Sequence, residues 1–527
     1  MLRDLRCPIA LFGATLILPA ALAAQRPANE NDPFAAARAY IDRAMGENSI
    51  PSVAVAVAKD GRIVFAEGFG FADVERRVPA TPRTMYSLAS ISKPITATAL
   101  MRLVEQGRVV LDRPANEYLG NGRIHSRVWD AEAATVRRVL SHTAGLPLHY
   151  EFFYEREDHG PRSTDEGIAR YAILIAPPGE VYQYSNLGYG VIDRILERVH
   201  GRTYAEIMRT EVFEPLGMAR STVSTGAGLD DSVAVRYGPD NRPVPFYDFD
   251  HRGGSAVYAS ALDLARFGMF HLGSLRDRRA RILTDSTIRL MQRPITPGPT
   301  DQGYGLGWVY LADDHGYRRI AHNGGMPGVA TALHLYPDQK VVVVVLTNRS
   351  NGSVGRIVQE LAGAVLPQYA IRAQHQRDSL QAVQRRDSAQ AAQRAATPVA
   401  LQPPPAADTT SPYPSALLGE WSGMIYTPDD SVALHLLVQR DGDVHVRLGN
   451  ELRTLLNDVT APYGEGLTGR FAGTLPDAHA RRHTHSVRLD VRLRGDRLAG
   501  MASAQTTGWP TYFALSSFAE LKRAGTR

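Results

Sequence analysis

The chain has 527 residues, 44% of them hydrophobic and 21% charged, an ordinary globular composition with length for about two or three domains. Its net charge of +5 is small and spread along the chain, which argues against a nucleic-acid surface. Beyond the N-terminus no stretch is long and apolar enough to span a bilayer, so no stable membrane span is expected in the mature chain.

Residues 1–23 read as a signal peptide. Arg3 and Arg6 make a basic start diluted by Asp4, Ile9 to Ala21 is apolar, and Ala21-Leu22-Ala23 suits cleavage. The competing reading is a retained N-terminal anchor. Cys7 is the sole cysteine, so cleavage leaves a chain with neither disulfide nor thiolate chemistry. The expected destination is the periplasm or the medium.

Phe34, Ala37, Ile41, Ala44 and Met45 then recur at helical spacing. Val53, Val55 and Val57 alternate as a strand, Asp60-Gly61 turns, and Ile63 to Phe65 returns as its hairpin partner. Ile95 to Gln106 reads as a helix closed by Gly107. The middle of the chain is helical with loops: Thr135 to Leu140, a helix opened by the capping box Ser163-Thr-Asp-Glu166, Leu187 to His200, Thr203 to Val212, and Ser260 to Leu272. Strands return from Tyr304 onward, and the five valines 341–345 suggest a central strand buried on both faces. Ser353 to Leu366 reads as a closing helix.

Both chain ends thus supply strands to one sheet, with helices between them. The expected fold class is α+β: an antiparallel sheet flanked by helices, with an inserted all-helical subdomain. Residues 367–412 read as a linker, first a polar helical or disordered piece, then a Pro/Ala/Thr-rich tether. From 413 to 527 short alternating strands indicate a small antiparallel, barrel-like β domain. Trp421 and Trp509 are expected in its core, and His479, His483 and His485 on a solvated loop rather than on a metal.

Three clusters carry chemistry. In Ser90-Ile-Ser-Lys93 the amine follows the hydroxyl by one helical turn, and a hydroxyl needs such a base to become a nucleophile. The same four residues also describe an N-cap serine with a solvated lysine. In Tyr184-Ser-Asn186, alternation puts phenol and amide on one side of a loop. A tyrosine beside an ammonium can be acidified and act as a base. In His322-Asn-Gly324-Gly325, glycines at a strand end let a substrate approach the backbone. The Gly325 N–H can pair with that of Ser90 as an oxyanion hole, and His322 is a donor beside the pocket.

Ser-x-x-Lys, Tyr-x-Asn and His-x-Gly, in this order and spacing, resemble the three motifs of class C β-lactamases and related penicillin-binding esterases and D-amino-acid peptidases. Leu140-Ser-His-Thr-Ala-Gly-Leu-Pro147, Gly253-Gly-Ser255 and Tyr304-Gly-Leu-Gly-Trp308 match too. The resemblance covers about residues 33–366 and gives a hydrolase domain over 24–366. It implies a β-lactamase/transpeptidase-like fold and an acyl-enzyme on Ser90. Lys93 and Tyr184 would share the proton transfers, with either as the base, and Asn186 would orient Lys93 and substrate. His322, Gly324 and Gly325 would line the substrate site. No cofactor or metal is implied, and the partner is a small-molecule or peptide substrate. β-Lactamases of this kind usually carry Lys-Thr-Gly where this chain has His322-Asn323-Gly324, which points away from efficient β-lactam hydrolysis. The alternative function is a sensor that is acylated, or binds ligand, without useful turnover. The β domain would shape access to the cleft, bind a surface or mediate assembly.

Overall fold

The computed structural model describes residues 32–155, 157–223, 232–277, 280–296, 301–350, 353–396, 411–461, 465–506 and 511–524. The signal-peptide segment with Cys7, most of the Pro-rich tether and Trp509 lie outside the described residues. No helix among the described residues is long and apolar enough to cross a membrane.

An eight-stranded antiparallel sheet is built from the two ends of the matched region. Val341–Thr347 lies between Ser52–Lys59 and Val329–Tyr336, which joins strands far apart in the chain. β-Branched side chains fit a pleated surface buried on both faces. Alternation divides them: Val342, Val344 and Leu346 enter one apolar core, and Val341, Val343 and Val345 the other. Burying each such side chain contributes roughly 1.5–3 kcal/mol. The second core is closed by the helices Ala35–Asn48 and Val354–Gly363, through Ile41, Ile357, Val358 and Leu361. On the opposite face the helix Ala261–His271 packs, capped by the Ser260 hydroxyl on the Asp263 N–H.

The insertion between the two groups of strands is mainly helical. Asn186–His200 is its longest helix, capped by Ser185 and closed by Gly201 at φ 70°. It also carries short strands. Met85–Ser87, Val257–Ser260 and Ser221–Val223 form a small sheet. Tyr150–Tyr154, an aromatic stretch, pairs with Tyr247–Phe249.

After the hydrolase-like part, Tyr369–Ala396 is a single helix. Its first turns are fastened to the second core by Tyr369 and Ala373. The C-terminal strands form a meander whose first strand, Gly419–Tyr426, pairs with the last, Phe513–Arg523. The two ends of the strand order, Thr454–Leu455 and Asn457–Thr460, are adjacent in the chain, so the sheet nearly closes on itself. Trp421 is fully buried inside, its indole N–H donating to the Leu417 carbonyl at 2.9 Å.

This β domain docks on the insertion. Phe513 and Ala514 pair with Glu151 and Tyr150, extending one sheet across the joint. Ile173 and Ile175 pack with Met501 and Phe518, and Arg494 pairs with Glu180 at 3.0 Å. Leu361 is fully buried between its helix and the valine strand. Leu361→Ala is expected to cost about 2–5 kcal/mol in denaturant unfolding of the N-terminal unit. A loss under about 1 kcal/mol would mean that this helix does not close the core.

Candidate active site

Ser90 lies in a 3₁₀ turn, Ala89–Ile91, that runs straight into the helix Ser92–Glu105. The turn is tied to both sheets. The Leu88 N–H donates to the Val257 carbonyl at 2.9 Å, and the Leu88 carbonyl accepts from the Thr331 hydroxyl at 2.9 Å. Ala89, just before the serine, has φ 48°. A left-handed alanine costs about 1–2 kcal/mol, so the surrounding contacts hold the turn in a strained shape.

Lys93 lies one turn on, fully buried, with its Nζ 3.0 Å from Ser90 Oγ. Its two other partners are acceptors, Asn186 Oδ1 at 2.8 Å and the Gly254 carbonyl at 3.1 Å. Burial pushes the amine well below its ordinary value of 10.5. A neutral amine has two N–H donors and one lone pair. In that form the amide oxygen and the carbonyl can take both donors, which would leave the lone pair for the serine proton.

The Gly254 carbonyl is held in place by its neighbours. The Gly253 N–H donates to Asp193 Oδ2 at 2.6 Å, and the Gly253 carbonyl accepts from the Thr96 hydroxyl at 2.6 Å. A Cβ on Gly253 would lie 2.4 Å from the Tyr189 carbonyl oxygen, so only glycine brings this segment so close.

Tyr184 donates its hydroxyl to Ser90 Oγ at 3.0 Å. Burial pushes its phenol upward, and the bond to Ser90 offsets this only in part. The sequence suggests a phenol acidified by a neighbouring ammonium; burial instead moves this phenol upward. His142, in the stretch Leu140–Pro147, supports the site although its sequence pattern does not single it out. Its ring centre is 4.3 Å from that of Tyr184, and its Nδ1 accepts from the Ser185 N–H at 3.1 Å. With Gln183 N–H on the His142 carbonyl and Asn186 N–H on the Leu148 carbonyl, it brackets the Tyr184–Asn186 loop on both sides.

The third motif lies on the edge-ward strand Arg319–Met326, which packs on the Ser90 turn. Gly324 and Gly325 have opposite settings. A Cβ on Gly324 would sit 2.1 Å from the Leu88 carbonyl oxygen and 2.4 Å from Thr331 Oγ1. On Gly325 it would meet nothing within 4 Å, and Gly325 lines the cavity with Ser90 and Asn186. His322 is buried behind this surface. Its Nδ1 donates to the Asn323 carbonyl at 2.8 Å, leaving Nε2 to accept from the Tyr304 hydroxyl at 3.0 Å. Burial pushes it down to about 3, so the ring is neutral, and both nitrogens are engaged within the protein.

The cavity measures about 790 Å³. Its walls include Tyr40, Tyr150, Phe152 and, from the β domain, Tyr512. Among its described lining residues the one Arg or Lys is Arg356, and that guanidinium is engaged by Glu360 at 2.5 Å. Arg236 lies outside the lining, its guanidinium 3.7 Å from the ring centre of Tyr247.

His251, also unforeseen from the sequence, lines the cavity beside Ser255. Its Nδ1 is 2.6 Å from Asp250 Oδ1, and the other oxygen of Asp250 meets His149. Burial opposes ionisation of Asp250, but the two imidazoles outweigh it and hold the carboxyl well below the usual range.

The Beta-lactamase family model matches residues 37–366. Penicillin-binding protein 4* of Bacillus subtilis is 25% identical over 333 residues, which cover 58% of this chain and 70% of that protein. Penicillin-binding protein 4 of Amycolatopsis lactamdurans is 29% identical over 360 residues, 61% of this chain and 88% of that one. Among solved structures, the octameric penicillin-binding protein homologue from Pyrococcus abyssi covers 91% of this chain and 99% of its own. At 22% identity and a TM-score of 0.53 it shares the fold, C-terminal domain included.

The two glycines give a paired prediction. Gly324→Ala must push the strand off the Ser90 turn and is expected to cost about 1–3 kcal/mol or more. Gly325→Ala is expected to stay within about 0.5 kcal/mol of the parent in the same denaturant titration. Equal losses for the two would contradict this placement of the strand.

Proposed function

The chain belongs to the beta-lactamase family, and on that footing we propose that it is an exported serine hydrolase cleaving ester or amide bonds of uncharged acyl groups through an acyl-serine. The observation that carries the reading is the bracketing of Ser90 Oγ, 3.0 Å from a buried amine and 3.0 Å from a phenol.

Lys93 is the base in this reading, because burial disfavours its ammonium form and pushes the Tyr184 phenol upward. The lone pair of Lys93 takes the Ser90 proton as Oγ bonds to the substrate carbonyl carbon. The Ser90 and Gly325 amides receive the oxyanion. Tyr184 protonates the leaving oxygen or nitrogen as its bond to carbon breaks, and regains a proton from the Lys93 ammonium. Water then enters the vacated place, gives its proton back along the same groups, and releases the acid and free Ser90. Asn186 and the Gly254 carbonyl keep the amine aimed throughout.

The acyl preference rests on charge. The described cavity lining offers aromatic walls, a histidine whose charged form burial disfavours and an arginine already engaged by Glu360. A substrate carboxylate next to the scissile bond would be desolvated there without a partner. This favours neutral esters and amides over β-lactams and over peptides ending in a free carboxylate. Export rests on the N-terminal segment, Arg3 to Ala23.

The test is steady-state turnover of nitrophenyl acyl esters, nitrocefin and D-alanyl peptides. Multiple turnover is expected on the esters, with kcat/KM at least ~100-fold above the carboxylate substrates. Ser90→Ala should fall to background and Lys93→Ala should lose about 10²–10⁴-fold. Stable acylation without a second turnover would mark a sensor, and unchanged ester hydrolysis by Ser90→Ala would exclude the nucleophile.

A pH profile follows from the same amine. Activity needs the neutral form, so kcat/KM should fall as pH drops through a lysine value well below the ordinary 10.5. A limb centred near the ordinary 10.5 would mean a protonated resting amine.

A further inference from the structure

We propose that Glu151, His159 and His479 form a binding site for one divalent transition-metal ion, of the zinc class, that fastens the C-terminal β domain to the strand walling the cavity. Glu151 belongs to Tyr150–Tyr154, and His159 follows in the next loop. His479 comes from the far domain, just before the short turn Ala480–Arg482.

The donor atoms converge on one point. His479 Nδ1 is 2.7 Å from Glu151 Oε1, His159 Nε2 is 3.5 Å from the same oxygen, and the two ring nitrogens are 3.1 Å apart. Ligands held tetrahedrally at about 2.0–2.1 Å from zinc lie about 3.3 Å from one another. The three gaps bracket that value, so a metal enters with shifts of a few tenths of an ångström.

Hydrogen bonding alone serves this cluster poorly. A single proton on His479 Nδ1 points at either the carboxylate or the facing imidazole. Glu151 is 6% exposed, and its second oxygen is buried without any partner. A buried carboxylate so placed is costly unless a positive charge meets it. Two imidazoles and one carboxylate are a recurrent zinc donor set, with a fourth position left for water or for the second carboxylate oxygen. Arg482 acts on the His159 side and Asp429 on the His479 side, so the outer charges offset one another. His159 is only partly buried and gives the ion a way in.

The location gives the ion something to do. Side chains alternate along a strand, so Glu151 points away from the cavity that its neighbours Tyr150 and Phe152 line. Glu151 also pairs with Phe513, next to the cavity residue Tyr512. An ion on Glu151 and His479 would lock the joint that carries three aromatic walls of the cavity. His483 and His485 take no part: His485 Nε2 accepts from the Leu475 N–H at 3.3 Å.

The test uses the full chain, stripped with EDTA and then titrated with ZnCl₂ by calorimetry and thermal unfolding, with CoCl₂ as a spectroscopic probe. One saturable equivalent is expected, with a raised unfolding midpoint and visible Co²⁺ absorption of tetrahedral or five-coordinate strength. His159→Ala, at a partly exposed position, should unfold like the stripped parent and lose the saturable step, as should Glu151→Gln. His483→Ala should bind like the parent. No saturable binding, or unaltered binding by His159→Ala, or loss of binding in His483→Ala would each overturn the proposal.

Discussion

The structure turns on the burial of one amine. Lys93 is removed from water without a carboxylate to answer its charge, and its two fixed partners are an amide oxygen and a carbonyl. In a low-dielectric interior the ammonium form is the costly one. On the proposed mechanism, a base thus stands ready beside Ser90 before any substrate arrives. The phenol of Tyr184, pushed upward by its own burial, keeps its proton. One buried environment thus pushes amine and phenol in opposite directions.

Keeping the amine neutral and aimed requires backbone placed with little freedom, which explains the glycines and strain around it. The Gly254 carbonyl rests against Nζ, and a side chain on the preceding Gly253 would collide with the Tyr189 carbonyl. Gly324 lets a sheet strand rest on the Leu88 carbonyl, and Ala89 is held left-handed between that strand and the Ser90 helix. His142 supports the phenol-bearing loop from below. The strain is repaid by core packing on both faces of the valine strand.

Much of this is legible in the sequence where the signal is local. A hydroxyl and an amine one helical turn apart need only the helix, and the turn delivers 3.0 Å. The five valines announce a strand buried on both faces because alternation is absent from them. The sheet and the nearly closed C-terminal β domain follow from period-two runs and turn residues. Other features arise only from long-range assembly. Asp250 and His251 read as ordinary loop residues, and nothing near them in the chain indicates His149. Tyr512 is far in sequence from Ser90, and only docking brings it to the cavity. His479 reads as one of three histidines on a charged loop, whereas its partners come from another domain. The upward push on the Tyr184 phenol is likewise hidden, since it depends on how fully that ring is buried.

The most direct measurement is the charge on Lys93. The chain has four lysines, Lys59, Lys93, Lys340 and Lys522, so a ¹³Cε-lysine spectrum is simple, and Lys93→Arg assigns the resonance. This resonance should titrate well below the ordinary 10.5 and apart from the other three. An ammonium at pH 7 that titrates with the surface lysines would contradict this.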